Sequence, residues 1–281
     1  MTPRSDRPVS PVTRLGLRLS RAVLWTLCLC LLGLGRAVAP AVAADLMEVI
    51  PRIKPSVVGI GTHQELRRPP ARLYGTGFAI GDGTLVATNM HVASVSIDRR
   101  RGERLVAFVG MGNNAKLVPV SLVASDPAHD IAFLRLSTGR LKPLVLGDGE
   151  RVREGQQIAF TGFPIGAVLG LYPVTHRGII SARTPIAIPQ VSPRRLDPKM
   201  IKRLRQGFEV FQLDATAYPG NSGSPLYDAH TGEVYGIVSS VFVKETKEKV
   251  LSDPSGITYA VPVRYVRRLL ETLPGATGGG R

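Results

Sequence analysis

The residue best suited to nucleophilic chemistry is Ser222, which lies in a glycine-bounded turn ahead of an apolar stretch. The segment reads Tyr218-Pro219-Gly220-Asn221-Ser222-Gly223-Ser224-Pro225-Leu226. A serine hydroxyl attacks a carbonyl near pH 7 only when a base lies within hydrogen-bond reach and a third group orients that base. The backbone N–H groups of Gly220 and Ser222 are the natural donors for the oxyanion that such an attack creates. Pro-Gly-Asn is also ordinary loop chemistry, so the hypothesis depends on partners elsewhere in the chain.

Two stretches upstream of Ser222 offer a base and a carboxylate. One is the β-type run Leu85-Val86-Ala87-Thr88-Asn89-Met90-His91-Val92. The other is Asp126-Pro127-Ala128-His129-Asp130, which precedes an apolar strand. The chain order His91, Asp130, Ser222 is that of the chymotrypsin arrangement and not that of subtilisins or α/β-hydrolases. In this interpretation His91 takes the proton from Ser222, and Asp130 orients the imidazole.

Two neighbouring residues compete for these roles. Asp126 is a second candidate for the carboxylate. His129 is a weaker candidate for the base, because adjacent residues of an extended chain point to opposite sides and His129 cannot easily pair with Asp130. The other histidines lack metal-ligand spacing and are interpreted as surface or hydrogen-bonded residues; they are His63, His176 and His230. We therefore expect no metal ion and no organic cofactor.

Twelve short β-type runs, separated by Gly-, Asp- and Pro-bearing turns, must position these side chains. The first six are Val57–Gly61, Gly75–Ile80, Thr84–Thr88, Leu105–Val109, Leu117–Ala124 and Ile131–Leu136. The second six are Gln157–Gly162, Val174–Ala182, Val210–Asp214, Gly223–Leu226, Val234–Val243 and Thr258–Val261. A set of six short strands suits a closed antiparallel barrel.

The pattern predicts an all-β fold of two antiparallel six-stranded β-barrels with a C-terminal helix. We place the first barrel at about 56–137, the second at about 152–263 and the helix at about 263–273. Residues 45–54 have only a weak helical pattern, which Pro51 and Pro55 interrupt. Val263–Thr272 is therefore the one helix predicted after residue 44. His91 and Asp130 then belong to one barrel and Ser222 to the other, with the site in the cleft between them.

Five blocks in this order resemble the trypsin-fold serine endopeptidases, most closely the bacterial Deg/HtrA type. Besides the three catalytic stretches, Ala159–Gly166 with Val174–Ala182, and Gly256–Pro262, resemble that family's Gly-x-Pro-x-Gly loop, the strand after it, and its last strand. The resemblance extends from about Val57 to Leu273. It implies a trypsin-like protease domain at 45–281 that cleaves unfolded or exposed polypeptide segments, with Asp130 preferred over Asp126 because the family's aspartate directly precedes the apolar strand.

The resemblance also implies which residues form the primary specificity pocket. They are Thr216, Ala217, Ser239, Ser240 and Val241. None is charged, so we expect a loose preference for Val, Ala or Ile before the scissile bond.

Three features depart from the family's pattern. Ser224 replaces the usual second glycine. Thr184–Gly207 is a long basic insertion, for which gating the site, covering it and disorder all stay open. Only Gly275–Arg281 follows the last helix, which leaves no room for a PDZ module, so we expect no regulation by one.

The first 44 residues are interpreted as a secretory signal peptide. Arginines precede the apolar run Ala22–Gly35, and Ala41-Val42-Ala43 offers a cleavage site near Ala43 or Ala44. An uncleaved anchor is the alternative, although the run is short for a membrane span. Both cysteines, Cys28 and Cys30, lie inside the run, so the mature chain would hold no disulfide. We expect export to the periplasm or secretion to the medium.

The chain is strongly basic, with a formal net charge of +15. One arginine cluster is Arg99-Arg100-Arg101, and a second basic stretch covers 194–205. Such clusters are commonly solvated loops, but they also attract acidic substrates, anionic membrane surfaces or other polyanions. Nucleic-acid recognition is poorly supported, because no aromatic residues interleave with these charges. A catalytically silent module that binds polypeptides or polyanions is the alternative to a peptidase.

Overall fold

The fold is taken from a computed structural model, which describes residues 45–165, 170–185, 208–239 and 257–274. Several sequence predictions lie outside these ranges. They are the leader 1–44, most of the basic insertion, and the pocket residues Ser240 and Val241.

Six antiparallel strands close the first barrel. Its strands are β1 (Val57–His63), β2 (Ala71–Ile80), β3 (Leu85–Asn89), β4 (Arg104–Val109), β5 (Lys116–Asp126) and β6 (Ile131–Leu136). Around the barrel they are ordered β1-β2-β3-β6-β5-β4, and β4 pairs with β1 to complete the ring. Closure leaves no unpaired strand edge.

The second barrel repeats this arrangement. Its strands are β7 (Gln157–Gly162), β8 (Val174–Pro185), β9 (Glu209–Asp214), β10 (Pro225–Asp228), β11 (Val234–Ser239) and β12 (Ile257–Pro262). Their order β7-β8-β9-β12-β11-β10 matches that of the first barrel, strand for strand. The prediction of an all-β fold with two six-stranded antiparallel barrels is confirmed.

Side chains alternate along the strands between the inside of a barrel and the surface where the barrels meet. In the first barrel, Val86 of β3 belongs to the barrel interior, whereas Leu85 and Ala87 belong to a cluster shared by both barrels. In the second, Val238 lies inside and Ile237 joins the shared cluster. Both faces of these strands are therefore apolar. This is why the strands appear in the sequence as continuous apolar runs and not as a strict alternation of apolar and polar residues.

Three α-helices occur within the described ranges: α1 (Leu46–Ile53), α2 (Met90–Ala93) and α3 (Val263–Glu271). The expectation that Pro51 would interrupt the first was wrong, because the helix forms with that proline inside it. Val49 and Ile53, one turn apart, are buried in the shared cluster, and this burial outweighs the lost N–H. None of the helices in the described part of the chain is long and apolar enough to cross a bilayer.

Strand boundaries differ from the predicted ones where the sequence carries no apolar signal. β2 begins four residues earlier than predicted, at Ala71, because Arg72 and Tyr74 face solvent. β10 begins at Pro225 rather than Gly223, because Gly223 has a φ of 89° and belongs to the preceding turn. A proline at the first position of a strand loses no ladder hydrogen bond.

We expect Phe133→Ala, in the shared cluster, to lower the free energy of unfolding by about 3–5 kcal/mol, because the void cannot fully collapse between two closed barrels. Phe133 is 0% exposed, whereas Leu122 on the neighbouring strand is 46% exposed. Leu122→Ala is therefore the control, with an expected change within about 0.5 kcal/mol. Urea denaturation monitored by far-UV circular dichroism measures the free energy of unfolding of both variants. Equal losses of this free energy would contradict the assignment of the core.

Candidate active site

His91 and Asp130 meet because two paired strands end side by side. Asn89 at the end of β3 lies opposite Ile131 at the start of β6. The residues just beyond each end are therefore neighbours. His91 Nδ1 lies 2.8 Å from Asp130 Oδ2, and the His91 backbone N–H donates to Asp130 Oδ1 at 3.0 Å. This geometry fixes the imidazole with its Nε2 edge away from the carboxylate.

The backbone of Asp130 is held in an uncommon conformation, with a φ of 55°. Its carbonyl oxygen accepts from the N–H of Met90 at 3.1 Å and from Asn89 Nδ2 at 3.0 Å. These two bonds stabilise a conformation that costs energy for a residue with a Cβ. Asp130 is thereby turned to present its carboxylate to His91.

A third donor reaches Asp130 from the second barrel. The hydroxyl of Ser239, at the end of β11, donates to Asp130 Oδ2 at 3.0 Å and is fully buried. Sequence reasoning assigned Ser239 only to the pocket wall and missed this contact. No local sequence pattern indicates this hydrogen bond, because the two residues are 109 positions apart.

The two competing residues, Asp126 and His129, contact each other and not His91. Asp126 Oδ2 lies 2.6 Å from His129 Nδ1, and its Oδ1 accepts from the backbone N–H groups of Ala128 and His129. The His129 ring is also stacked on Tyr265 of α3, with 4.0 Å between ring centroids. Asp126 therefore shapes the β5–β6 turn that precedes Asp130, and the structure places Asp130, not Asp126, against His91.

The segment before Ser222 has the pattern of a type II turn. The Asn221 N–H donates to the Tyr218 carbonyl at 2.9 Å, Pro219 occupies the second position, and Gly220 occupies the third with a φ of 101°. The Pro219 carbonyl accepts from the Ile165 N–H at 2.6 Å. Because carbonyl and N–H lie on opposite sides of a trans peptide, the Gly220 N–H is directed away from Ile165.

Thr76 on β2 binds this turn to the first barrel. Its N–H donates to the Ser222 carbonyl at 2.8 Å, and its hydroxyl donates to the Gly220 carbonyl at 2.8 Å. The same hydroxyl accepts from the Phe163 N–H at 3.1 Å. Ser222 is only 3% exposed, so its position is set by these contacts rather than by solvent. Sequence reasoning did not single out Thr76.

Close packing around Thr76 explains one of the glycines and one unusual serine. A Cβ at position 223 would lie 1.9 Å from the Thr76 carbonyl oxygen, so only glycine fits there. Ser224, which stands where the resembled family has glycine, points its Oγ at Gly162, where a Cβ would lie 2.0 Å from it. The Ser224 side chain thus occupies the space that the absent side chain at 162 leaves open.

His176 lies beneath the turn, beside Asn221. Asn221 Nδ2 is 3.4 Å from His176 Nε2, and the imidazole is stacked on Phe160. Burial lowers the pKa of His176 below its ordinary value, so the ring is neutral at pH 7. In the neutral tautomer with its proton on Nδ1, Nε2 can accept a hydrogen bond from Asn221 Nδ2.

The predicted pocket wall is partly described. The Ala217 N–H donates to Thr258 Oγ1 at 3.0 Å, and that hydroxyl donates to the Ala215 carbonyl at 2.6 Å. Thr216 and Ala217 are half-buried. These bonds fix the 215–217 segment against β12.

Within the described ranges, no three His, Cys, Asp or Glu side chains are grouped as metal ligands.

This chain is similar to known trypsin-like peptidases. The family model described as "Trypsin-like peptidase domain" matches residues 75–237. A "Probable periplasmic serine endoprotease DegP-like" of Halomonas elongata is 32% identical over 219 residues, which cover 78% of this chain and 38% of the relative. A protein of the same description from Pseudomonas putida strain W619 is 28% identical, covering 70% of this chain and 34% of the relative. The chain thus spans little more than a third of these relatives.

A solved structure described as "HtrA-type protease AlgW with tripeptide" has the same fold. It aligns with a TM-score of 0.56 and 22% identity, covering 81% of this chain and 63% of that chain. At this identity the likeness concerns the fold alone.

We expect Thr76→Val to lower the free energy of unfolding by about 1–3 kcal/mol, because the buried Gly220 carbonyl and Phe163 N–H each lose a partner. It should also slow the phosphonylation of Ser222 by a fluorophosphonate probe. Thr84→Val is the matched control, since the Thr84 hydroxyl bonds the exposed Asp82. Equal stability and equal labelling in the two variants would contradict the role given to Thr76.

Proposed function

Because the chain belongs to the trypsin-like peptidase domain family, we propose that it is a serine endopeptidase that uses His91, Asp130 and Ser222. The observation that carries the proposal is the 2.8 Å contact between His91 and Asp130, beside a Ser222 turn that Thr76 ties to the same barrel. The family supplies the reaction class, and the contacts of this chain support the proposed roles of these residues.

In the proposed mechanism, Asp130 keeps the proton of His91 on Nδ1. Nε2 then accepts the proton of the Ser222 hydroxyl as its oxygen attacks the peptide carbonyl. The imidazolium returns this proton to the leaving amine, and a water molecule hydrolyses the acyl-enzyme by the same steps in reverse. Ser239 and the His91 N–H hold the carboxylate in the orientation that this sequence requires.

The proposed oxyanion hole consists of the Gly220 and Ser222 N–H groups. Its support is the type II turn, in which the engaged Pro219 carbonyl leaves the Gly220 N–H pointing the other way. Removing one such donor typically lowers kcat by about 10²–10³-fold. Pro219 and Gly220 are the residue types that this turn demands.

We propose polypeptides with unfolded or flexible segments as substrates, cleaved after small aliphatic residues. The support is the absence of charge at Thr216, Ala217 and Ser239, which are the described members of the predicted wall. A pocket of this kind distinguishes residues that differ by one methylene by only about 1–3 kcal/mol. Loose specificity follows.

We propose export, with residues 1–44 as a signal peptide cleaved near Ala43 and the protease domain at 45–281. The arginine-rich start and apolar run support it, and the relatives of Halomonas and Pseudomonas are described as periplasmic. Either the periplasm or the medium fits the sequence.

The proposed activity predicts covalent labelling at one position. Protein with an intact Ser222 should react with a fluorophosphonate probe and degrade casein, and Ser222→Ala should do neither while keeping its circular dichroism spectrum. Substitution of Ser224 by Ala is the control, because it removes a hydroxyl two residues away. Labelling absent from both forms, together with intact casein, would favour the silent binding module. Labelling of Ser222→Ala would instead place the reactive nucleophile at another residue and contradict the role of Ser222.

The two Asp–His pairs predict different losses of kcat when each aspartate is replaced by asparagine. Asp130→Asn should lower kcat by about 10⁴-fold, because the amide favours the wrong imidazole tautomer. Asp126→Asn should lower it by about tenfold or less, since it loosens only the turn ahead of Asp130. Steady-state kinetics on a chromogenic peptide measures both, and the opposite ranking would overturn the assignment.

A further inference from the structure

An open cleft of about 550 Å³ lies on the first barrel between the β1–β2 loop and the segment before β4. Its lining includes Gln64, Arg67, Arg72, Tyr74, Arg101 and Glu103. We refer to it as the basic cleft. None of these residues has a role in the mechanism described above.

One ion pair forms part of the wall and adds no net charge. Arg67 is bonded to Glu103, with side chains that are 12% and 8% exposed. Arg67 also donates to the carbonyl oxygens of Thr62 and Pro70. Hydrogen bonds from Thr62 and the Asp98 backbone, together with Arg67, lower the pKa of Glu103 to about 2. Glu103 is therefore ionised at any working pH and cancels the charge of Arg67.

The two other arginines leave the cleft positive. Arg72 is exposed. Arg101 has a side chain that is 78% exposed, and it lies 3.5 Å from Asp98, a separation that gives an exposed pair little strength. The two segments that border the cleft, 64–74 and 96–104, together hold seven arginines and three carboxylates, a surplus of four positive charges.

The cleft lies close to the proposed catalytic residues along the chain. Thr76, whose N–H binds the Ser222 carbonyl, follows Arg72 by four residues on β2, or about 13 Å at the rise of a strand. On the other side, Ser96 lines the cleft five residues after His91. An extended peptide bound at Ser222 covers a similar distance in about three to five residues.

We propose that the basic cleft is a substrate subsite that binds acidic side chains of the polypeptide, a few residues to one side of the scissile bond. This inference rests on the proposed peptidase function. A guanidinium matches a carboxylate with two parallel N–H donors, and Arg72 and Arg101 present two such groups to one cleft. A chain held at Ser222 is delivered to the cleft by its own connectivity, which favours a polypeptide over a free polyanion.

Matched fluorogenic peptides test the subsite. They share one cleavable core and carry two Glu or two Gln residues, three to five positions to one side of the bond or to the other. We expect the Glu pair to lower KM about threefold to tenfold on one side only, with kcat little changed. Raising the ionic strength from about 0.01 M to 0.15 M should remove most of this gain, since the screening length falls from about 30 Å to 8 Å.

Charge reversal identifies the cleft as the source. Arg72→Glu with Arg101→Glu should abolish the gain for Glu peptides, leave Gln peptides unchanged, and favour peptides with a Lys pair. Arg140→Glu with Arg151→Glu is the control, because it makes the same change in net charge at two other exposed arginines. The control should retain the gain.

The outcomes separate this inference from the proposed function. Cleavage of all peptides with no gain from Glu, an equal gain on both sides, or an equal loss in the control overturns the subsite and leaves the peptidase intact. No cleavage of any peptide contradicts the peptidase. Fluorescence anisotropy with Ser222→Ala then tests the subsite alone, where tighter binding of the Glu peptide, dependent on Arg72 and Arg101, supports it and equal binding overturns it.

Discussion

The hydrogen bonds of Thr76 to the turn around Ser222 are the interaction on which the site depends. They join a strand of the first barrel to the loop of the second that carries the hydroxyl group. The bond from Ser239 to Asp130 joins the barrels in the opposite direction. Each barrel therefore fixes one reacting element of the other. A shared apolar cluster contains buried residues of both barrels and packs the two closed sheets against each other.

The fold was largely predictable because most strands have a local sequence pattern. Apolar runs bounded by glycine and proline marked both sets of six strands, and the identical strand order explains why two similar patterns follow one another. The errors have physical causes. α1 was discounted because propensity weighs Pro51 heavily, whereas the burial of Val49 and Ile53 is a tertiary effect. The short α2 that carries His91 has too few residues to give a periodic signal.

The site was predictable as a set of residue types and less so as a set of contacts. The pairing of His91 with Asp130 follows from where β3 and β6 end, which the sequence placed to within a residue or two. The contributions of Thr76 and Ser239 were missed because each acts across more than 100 positions. No local pattern encodes such a contact. The pairing of Asp126 with His129 differs from these, because it joins residues only three positions apart, and Tyr265 of α3 stacks on the same imidazole.

The proposed function requires that Ser222, His91 and the turn at Gly220 act on the same carbonyl group. A crystal structure of the protein after reaction with a fluorophosphonate tests it most directly. We predict a phosphonyl group on Ser222 Oγ, His91 Nε2 within roughly 3 Å of that oxygen, and a phosphonyl oxygen bound by the N–H groups of Gly220 and Ser222. An adduct whose oxygen faces away from both N–H groups, with the His91 ring separated from Ser222 by more than one water molecule, would contradict the claim.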